Sequence, residues 1–141
     1  MKQILVFILF ATLLCWFMFS PVYKHVIIIR QALLQKEVDY MLEIGSNGRH
    51  GYINETMIIA SKERMKEQGF VASDLVYEVT TTSGAGGMDA SQPVWRGIGI
   101  TLKLTYPYHR LFVIDQLIGI NVPAQTDRMG AVGMKMSEYV P

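Results

Sequence analysis

The sequence predicts an α+β fold: a long N-terminal hydrophobic helix packed on a small domain with one further helix and a three-stranded antiparallel sheet. Three observations predict it. Residues 4–23 carry no charge, residues 22–44 continue as a helical pattern without glycine, and later segments alternate apolar and polar residues as strands do. We expect a transmembrane or filament-core helix at 1–24, an amphipathic stem at 25–44 and a globular α+β head at 45–141.

Composition limits the classes of function. The chain has 141 residues, a formal charge of +1 and 50% hydrophobic residues, which suits one domain. Balanced charge argues against a nucleic-acid binder, which would present a clustered basic face. The single cysteine, Cys15, lies in the apolar run, so we expect no disulfide in the head and find no zinc-binding spacing.

The first apolar run has the length of a membrane span. Twenty helical residues rise about 30 Å, roughly the thickness of a bilayer's hydrocarbon core. A cleaved secretory signal would be shorter and would end at a small-x-small site, whereas this run ends at Phe19-Ser20-Pro21. We therefore expect a retained single-pass anchor, with Pro21 either ending the helix or kinking it.

The stem is helical and unusually apolar. Good helix formers run together from 31 to 37, and Gly45 provides a C-terminal cap. Its polar arc is narrow and consists of Gln35, Lys36, Asp39 and Glu43. The remaining apolar surface is about twice as wide as the stripe that an ordinary surface helix buries. It predicts a stem that covers its own domain and also contacts another molecule.

Two charges interrupt this apolar surface. Arg30 and Glu37 lie seven positions apart and almost in line. Either both side chains snorkel to water along their aliphatic parts, or they pair with opposite charges on neighbouring stems and fix the register of an assembly.

The head contains one helix and three strands. Asn54 is a favourable N-cap for a helix that ends near Gly69, although Asn54-Glu55-Thr56 is also a glycosylation sequon. Strands are predicted at 75–82, 98–106 and 132–137, with a flexible glycine-rich loop at 83–93. We expect the apolar faces of the strands to be covered by the stem and the Asn54 helix. Residues 111–120 form a short buried helix or an extended crossover, and we favour the helix.

No motif for catalysis, cofactor binding or metal binding is present. His25, His50 and His109 share no metal-ligand spacing, and residues 45–51 lack the Gly-Lys-Ser/Thr ending of a phosphate-binding loop. The sequence therefore does not predict an enzyme. Trp95 either plugs the edge of the sheet or is a surface contact to a neighbouring subunit or an external surface, since exposed tryptophans favour interfaces.

Several short segments resemble the type IV pilin superfamily, most closely the minor pilins of tight-adherence (Tad) type and the pseudopilins. In the stem they are Tyr23, Arg30 and Gln31-Ala32-Leu33. At the C-terminal end they are Tyr106-Pro107 and the run from Met134 to Tyr139.

The resemblance implies a structural subunit of a Tad-like or other type IV-like pilus, with a role in adhesion and without a cofactor. Its partners would be copies of itself in a helical homopolymer, related pilins and the assembly machinery. It would reside in the plasma (inner) membrane before assembly and then in an extracellular filament on the cell surface. Pilin precursors usually carry a glycine cleavage site and a glutamate early in the mature helix. This chain has no acidic residue before Glu37 and no glycine before Gly45.

The assembly is expected to run through the N-terminal helix. An apolar helix that leaves the bilayer needs apolar partners, and sister helices provide them at about 25 cal/mol per Å² of buried surface. The residues expected to make these contacts are Ile4, Leu5, Phe7, Ile8, Phe10, Leu14, Trp16, Phe17, Pro21, Tyr23, Ile27, Arg30, Leu34 and Glu37.

Two alternatives remain open on the sequence. The first is a single-pass membrane protein whose α+β domain recruits a partner protein. Lys2 precedes the apolar run while Lys24, Arg30 and Lys36 follow it, and this distribution favours a cytoplasmic domain. The second is a cleaved and secreted domain.

Overall fold

The computed structural model describes residues 1–108, 111–117, 119–124 and 126–141, without the side chains of Tyr23 and Ile114. The α+β prediction is confirmed. The predicted assembly role of the Tyr23 side chain and the interpretation of His109 lie outside the described residues. In chain order the elements are α1 (Lys2–Gly45), α2 (Glu55–Glu67), a short 3-10 turn (Ala72–Asp74), β1 (Val76–Thr81), β2 (Gly99–Pro107), α3 (Val113–Leu117) and β3 (Arg128–Met136).

The chain divides into two units, residues 1–30 and residues 31–141. Helix α1 contributes to both and continues through Pro21. The part of the predicted stem after Arg30 belongs to the second unit, because its apolar side chains lie in the core of the head. These side chains are Leu34, Val38, Met41 and Leu42.

The sheet has the order β1-β2-β3, and both pairs of strands are antiparallel. Its central strand β2 follows the predicted alternation, with one face buried and the other solvated. The buried face consists of Ile100, Leu102, Leu104 and Tyr106. Two helices cover it: the second unit's part of α1 approaches β3 at Gly133, and α2 meets β1 where Ser61 contacts Tyr77.

Helix α2 begins as its sequence predicts. Asn54 is the N-cap, and its side-chain oxygen accepts a hydrogen bond from the backbone N–H of Met57 at 3.0 Å. This contact satisfies one of the N–H groups that a helix start leaves without an intrahelical partner. Glu55 in the first turn, with Arg64 and Lys66 in the last, complements the helix dipole.

Strand β3 presents the opposite face from the one expected. Val132, Met134 and Met136 point away from the core and are about half exposed. The inner face is made by Met129, Ala131, Gly133 and Lys135, which the register sets opposite the buried side chains of β2. The reason is close packing of α1: a Cβ on Gly133 would lie 2.7 Å from Leu42 Cδ1. The expectation that the stem and the Asn54 helix cover the apolar face of each strand is therefore wrong for β3, whose valine and two methionines are on the uncovered face.

The segment between β2 and β3 does contain a helix, but a short and exposed one. Helix α3 spans five residues, and Val113 and Leu117 are exposed. The expectation of a buried element is wrong here, because the head's core is already closed by α1 and α2. Among the described residues of this region, Tyr108 and Leu111, before α3, pack against the core.

Candidate assembly surfaces

The first unit is an apolar helix whose side chains are exposed on every side. Thr12 lies in the middle of the run, and its hydroxyl donates to the carbonyl of Ile8 at 2.7 Å, so this polar group is satisfied within the helix. Within the described part of the chain, one helix is long and apolar enough to cross a membrane: an 18-residue window of α1 has a mean hydropathy of 2.3 and is 0% buried. The predicted assembly residues Ile4, Leu5, Phe7, Ile8, Phe10, Leu14, Trp16 and Phe17 are all exposed.

Apolar exposure continues for two turns after Pro21. Pro21 is exposed, as are Val26, Ile28 and Ile29, whereas Ile27 and Arg30 are half-buried. From residue 4 to residue 29 the helix rises about 39 Å at 1.5 Å per residue, against the roughly 30 Å that a bilayer's hydrocarbon core covers. Lys24 and His25 are exposed between the uncharged run and Val26, so the apolar turn at residues 26–29 is a separate surface that follows a run already long enough to span a membrane.

Leu34 and Glu37 do not lie on this surface. Leu34 is fully buried in the core of the head, and Glu37 is only 6% exposed. Glu37 neither extends into solvent nor is left to pair with a charge on a neighbouring stem, because its carboxylate binds Ser61 and Arg64 of its own chain. The structure therefore corrects the expectation that these two residues take part in assembly contacts.

Glu37 joins α1 to α2 and, through them, to β1. Its Oε1 atom accepts hydrogen bonds from Ser61 Oγ at 2.6 Å and from Arg64 Nη2 at 2.5 Å. Ser61 also lies 2.8 Å from the hydroxyl of Tyr77. We call these four residues, Glu37, Ser61, Arg64 and Tyr77, the Glu37 network. The first and the last of them lie 40 positions apart in the sequence, so no local pattern links them. The one sign of the network in the sequence is an acidic residue, Glu37, within the apolar arc of the stem.

Burial governs the chemistry of Tyr77 in this network. Burial raises the pKa of its phenol above 10.0, and the nearby Glu37 carboxylate acts in the same direction, whereas the hydrogen bond to Ser61 and the charge of Arg64 act against them. Arg64 additionally lies over the ring of Tyr40, 4.8 Å from its centroid. The network thus gives a buried carboxylate the partners that its burial requires.

The free surface of α1 after Arg30 is mostly polar. Gln35 donates to Asp39 at 2.9 Å, Lys36 is exposed, and Glu43 forms an ion pair with Lys135. The apolar side chains of this part are used by the head's own core. The stem therefore offers a neighbour less apolar surface than the sequence predicts, and that surface ends near Ile29.

A second apolar surface lies on the head. We call Val132, Met134 and Met136 the β3 strip. They are 55%, 57% and 51% exposed and follow one another along the outer face of a strand at the edge of the sheet. Gly99 lies beside them on β2, and a Cβ there would be 3.1 Å from Met134 Sδ. Lys103 and Thr101 of β2 lie beside Val132 and Met134 in the register, so the strip is narrow, and it is a candidate contact surface.

Trp95 does not plug the edge of the sheet. It is exposed and lies in a groove between the loop after β1 and the C-terminal residues. The alternative expectation, a surface contact, stays a prediction.

Other side-chain chemistry is sparse in the part of the chain that the structure describes. No group of three or more His, Cys, Asp or Glu side chains is placed there to hold a metal ion. Cys15 is a free, exposed thiol on the apolar helix. Comparison with protein-family models, curated proteins and solved structures yields no match to this chain.

Proposed function

We propose that this protein is a structural subunit, a pilin or pseudopilin, of a type IV-like filament on the cell surface. It is held in the plasma membrane by its N-terminal helix before assembly, and the same helix then forms the core of the filament. The observation that carries the proposal is that α1 still exposes Val26, Ile28 and Ile29 beyond the uncharged run of residues 4–23 and the exposed Lys24 and His25 that follow it.

The energetic argument concerns what changes when the helix leaves the lipid. Lipid tails are as apolar as leucine side chains, so moving residues 4–23 from lipid to sister helices gains little hydrophobic free energy. Apolar surface outside the lipid is different, because burying one such side chain stabilises by about 1.5–3 kcal/mol. Val26, Ile28 and Ile29 on α1 and the β3 strip on the head are exposed surfaces of this kind.

An open filament forms when two different surfaces of the same chain bind each other in successive copies. The apolar turn of α1 and the β3 strip are different patches of the same chain. A contact between different patches is heterologous, and it produces a helical filament when its rotation does not close a ring. The resemblance of the stem and of the C-terminal run to Tad-type minor pilins supports the same assignment.

The second candidate is a single-pass membrane protein whose head recruits a partner protein in the cytoplasm. Lys24, Arg30 and Lys36 after the apolar run favour it, because basic residues near the end of a span tend to remain on the cytoplasmic side. In that case the β3 strip would be the surface that meets the partner.

Shearing cells and imaging the released material tests the proposal directly. We expect fibres in the supernatant, with this chain as a component, and mass spectrometry of the released subunit then defines its mature N-terminus. A chain that stays monomeric in detergent-extracted membranes, with no fibres in the supernatant, would contradict the filament and favour the recruiting protein.

A further inference from the structure

The head carries a groove that neither the fold nor the assembly surfaces use. It has a volume of about 450 Å³, within the range of small-molecule sites. Trp95, 62% exposed, forms one wall. Tyr139, Pro93 and Pro141 add apolar surface. Hydroxyl and amide groups come from Ser83, Ser91 and Gln92.

Backbone hydrogen bonds fix the position of Trp95 from both sides. Before it, the N–H of Val94 donates to the carbonyl of Gly51 at 2.7 Å; after it, the N–H of Arg96 donates to the carbonyl of Tyr139 at 2.9 Å. The Val94 carbonyl also accepts from the hydroxyl of buried Ser137 at 2.6 Å. The segment that presents the indole is therefore organised before any ligand arrives, which lowers the entropic cost of binding.

The opposite wall is a loop with its own hydrogen bonds. The Asp89 carboxylate accepts from the N–H of Ser91 at 2.8 Å and from its hydroxyl at 2.7 Å, and these bonds lower the pKa of Asp89. Nearer β1, the hydroxyl of Thr81 donates to the carbonyl of Ala85. The loop that the sequence predicts to be flexible thus has a defined shape at both ends.

The described residues that line the groove include no charged side chain. A phosphate or carboxylate ligand is normally held by Arg or Lys, so an uncharged ligand fits better. An aromatic face is electron-rich and attracts the weakly positive C–H groups of a flat apolar surface. The surrounding serine, tyrosine and glutamine side chains donate and accept hydrogen bonds, as hydroxyl-rich ligands require.

We propose that this groove binds a neutral carbohydrate, with one sugar ring stacked on Trp95 and its hydroxyls on Gln92, Ser91 and Tyr139. The groove has room for a mono- or disaccharide, such as the end or a short stretch of a surface polysaccharide. A proline-rich peptide also binds in grooves lined by aromatic side chains. This groove instead places several hydroxyl and amide groups beside its aromatic residues, and these suit a sugar better.

Trp95 itself provides the probe for a test. In the full chain carrying Trp16→Phe, Trp95 is the remaining tryptophan, so its fluorescence reports on the groove alone. The protein is kept in micelles of a detergent without a sugar headgroup and titrated with maltose, cellobiose and lactose. We expect a saturable change in Trp95 emission for at least one disaccharide, with a Kd on the order of 1 mM.

Matched variants assign the binding to the groove. Isothermal titration with Trp95→Ala should show at least a tenfold loss of affinity, and Gln92→Leu a several-fold loss. Trp16→Phe should bind as the unaltered chain does. Both changed groove side chains are exposed, so folding should be unaffected.

Three results would overturn the proposal: no saturable response to any of the disaccharides up to about 50 times the expected Kd, unchanged affinity in Trp95→Ala, or saturable binding of a proline-rich peptide in place of sugar. None of them bears on whether the chain forms fibres, so the sugar site and the filament fail separately.

Discussion

Glu37 is a carboxylate buried between two helices, and Arg64 and Ser61 compensate the cost of removing it from water. Breaking a buried ion pair by deleting one partner commonly costs about 3–5 kcal/mol, because the other charge is left without a partner. Arg64 is partly solvent-accessible, with 38% of its side chain exposed, so it can regain water and the cost is smaller.

Glu37→Ala should therefore lower the free energy of unfolding by about 2 kcal/mol. The matched control is Glu43→Ala, which removes the ion pair with Lys135 from a side chain that is 72% exposed and should cost less than about 1 kcal/mol. Chemical unfolding in micelles, followed by near-UV circular dichroism, measures both. Equal losses in the two variants would contradict the structural role of the Glu37 network.

Tyr77 makes the stability of the head depend on alkaline pH. Because burial raises its pKa above 10.0, the unfolded chain loses the phenolic proton first as the pH rises. The contribution is complete below pH 10 and is lost as the pH rises through the raised pKa. Tyr77→Phe should be less stable near neutrality by about 1 kcal/mol, the worth of the hydroxyl's hydrogen bond, yet should lose less stability between pH 9 and 11. Unfolding curves at several pH values test this; parallel declines in both proteins would count against it.

Single residues show what the sequence could and could not predict. The cap at Asn54 depends on a hydrogen bond to a residue only three positions away, so the sequence could predict it, and the structure confirms it. The partner of Glu37 is not local: Arg64 lies 27 positions away on a different helix. Only the folded chain brings the two together. An acidic residue within an apolar arc predicts that a partner is needed but does not identify which residue it is.

At the scale of elements, strand alternation identifies two faces but not which face points inward. On β2 the contrast between leucine or isoleucine and threonine or lysine decides it. On β3 the inner face carries Gly133 and Lys135, whereas the outer face carries the three apolar residues of the β3 strip. Hydrophobicity alone gives the wrong answer, because the approach of α1 leaves room for a glycine and not for a methionine.

Gly133→Val should separate α1 from β3. A Cβ at this position lies 2.7 Å from Leu42 Cδ1 and 3.0 Å from Val38 Cγ1, and overpacking of this kind typically costs about 1–3 kcal/mol. Gly130→Val in the same strand is the control, because its Cβ meets nothing nearer than Thr105 at 3.3 Å, on the outer face. Thermal unfolding that ranks the two variants in the reverse order would contradict the packing of α1 on the sheet.

The β3 strip should matter for assembly and not for folding. Changing Val132, Met134 and Met136 together to threonine keeps good strand formers at exposed positions, so each change should alter stability by no more than about 0.5 kcal/mol. The yield of sheared fibres should fall several-fold relative to Val76→Thr, a control on the exposed outer face of β1. Unchanged fibre yield in the triple variant would remove the strip from the assembly.

At the scale of the whole molecule, the sequence predicts the fold class because hydrophobic periodicity changes along the chain. A continuous apolar run, a helical period and then alternation each have one local solution. Assembly is harder to predict, since the same apolar side chains can cover the chain's own core or a neighbour's. From Leu34 to Leu42 they cover the head's own core, whereas most of the described ones between Ile4 and Ile29 remain exposed.

The central claim is that neighbouring subunits cover the apolar turn at Ile28 in the filament. The most direct measurement is thiol labelling of intact sheared fibres with a water-soluble maleimide, in a Cys15→Ser background that carries either Ile28→Cys or, as a control, Lys36→Cys on the exposed polar face of α1. We predict that the thiol at position 36 reacts readily and that the thiol at position 28 is protected at least tenfold. Equal labelling of both thiols in the fibres would contradict the account.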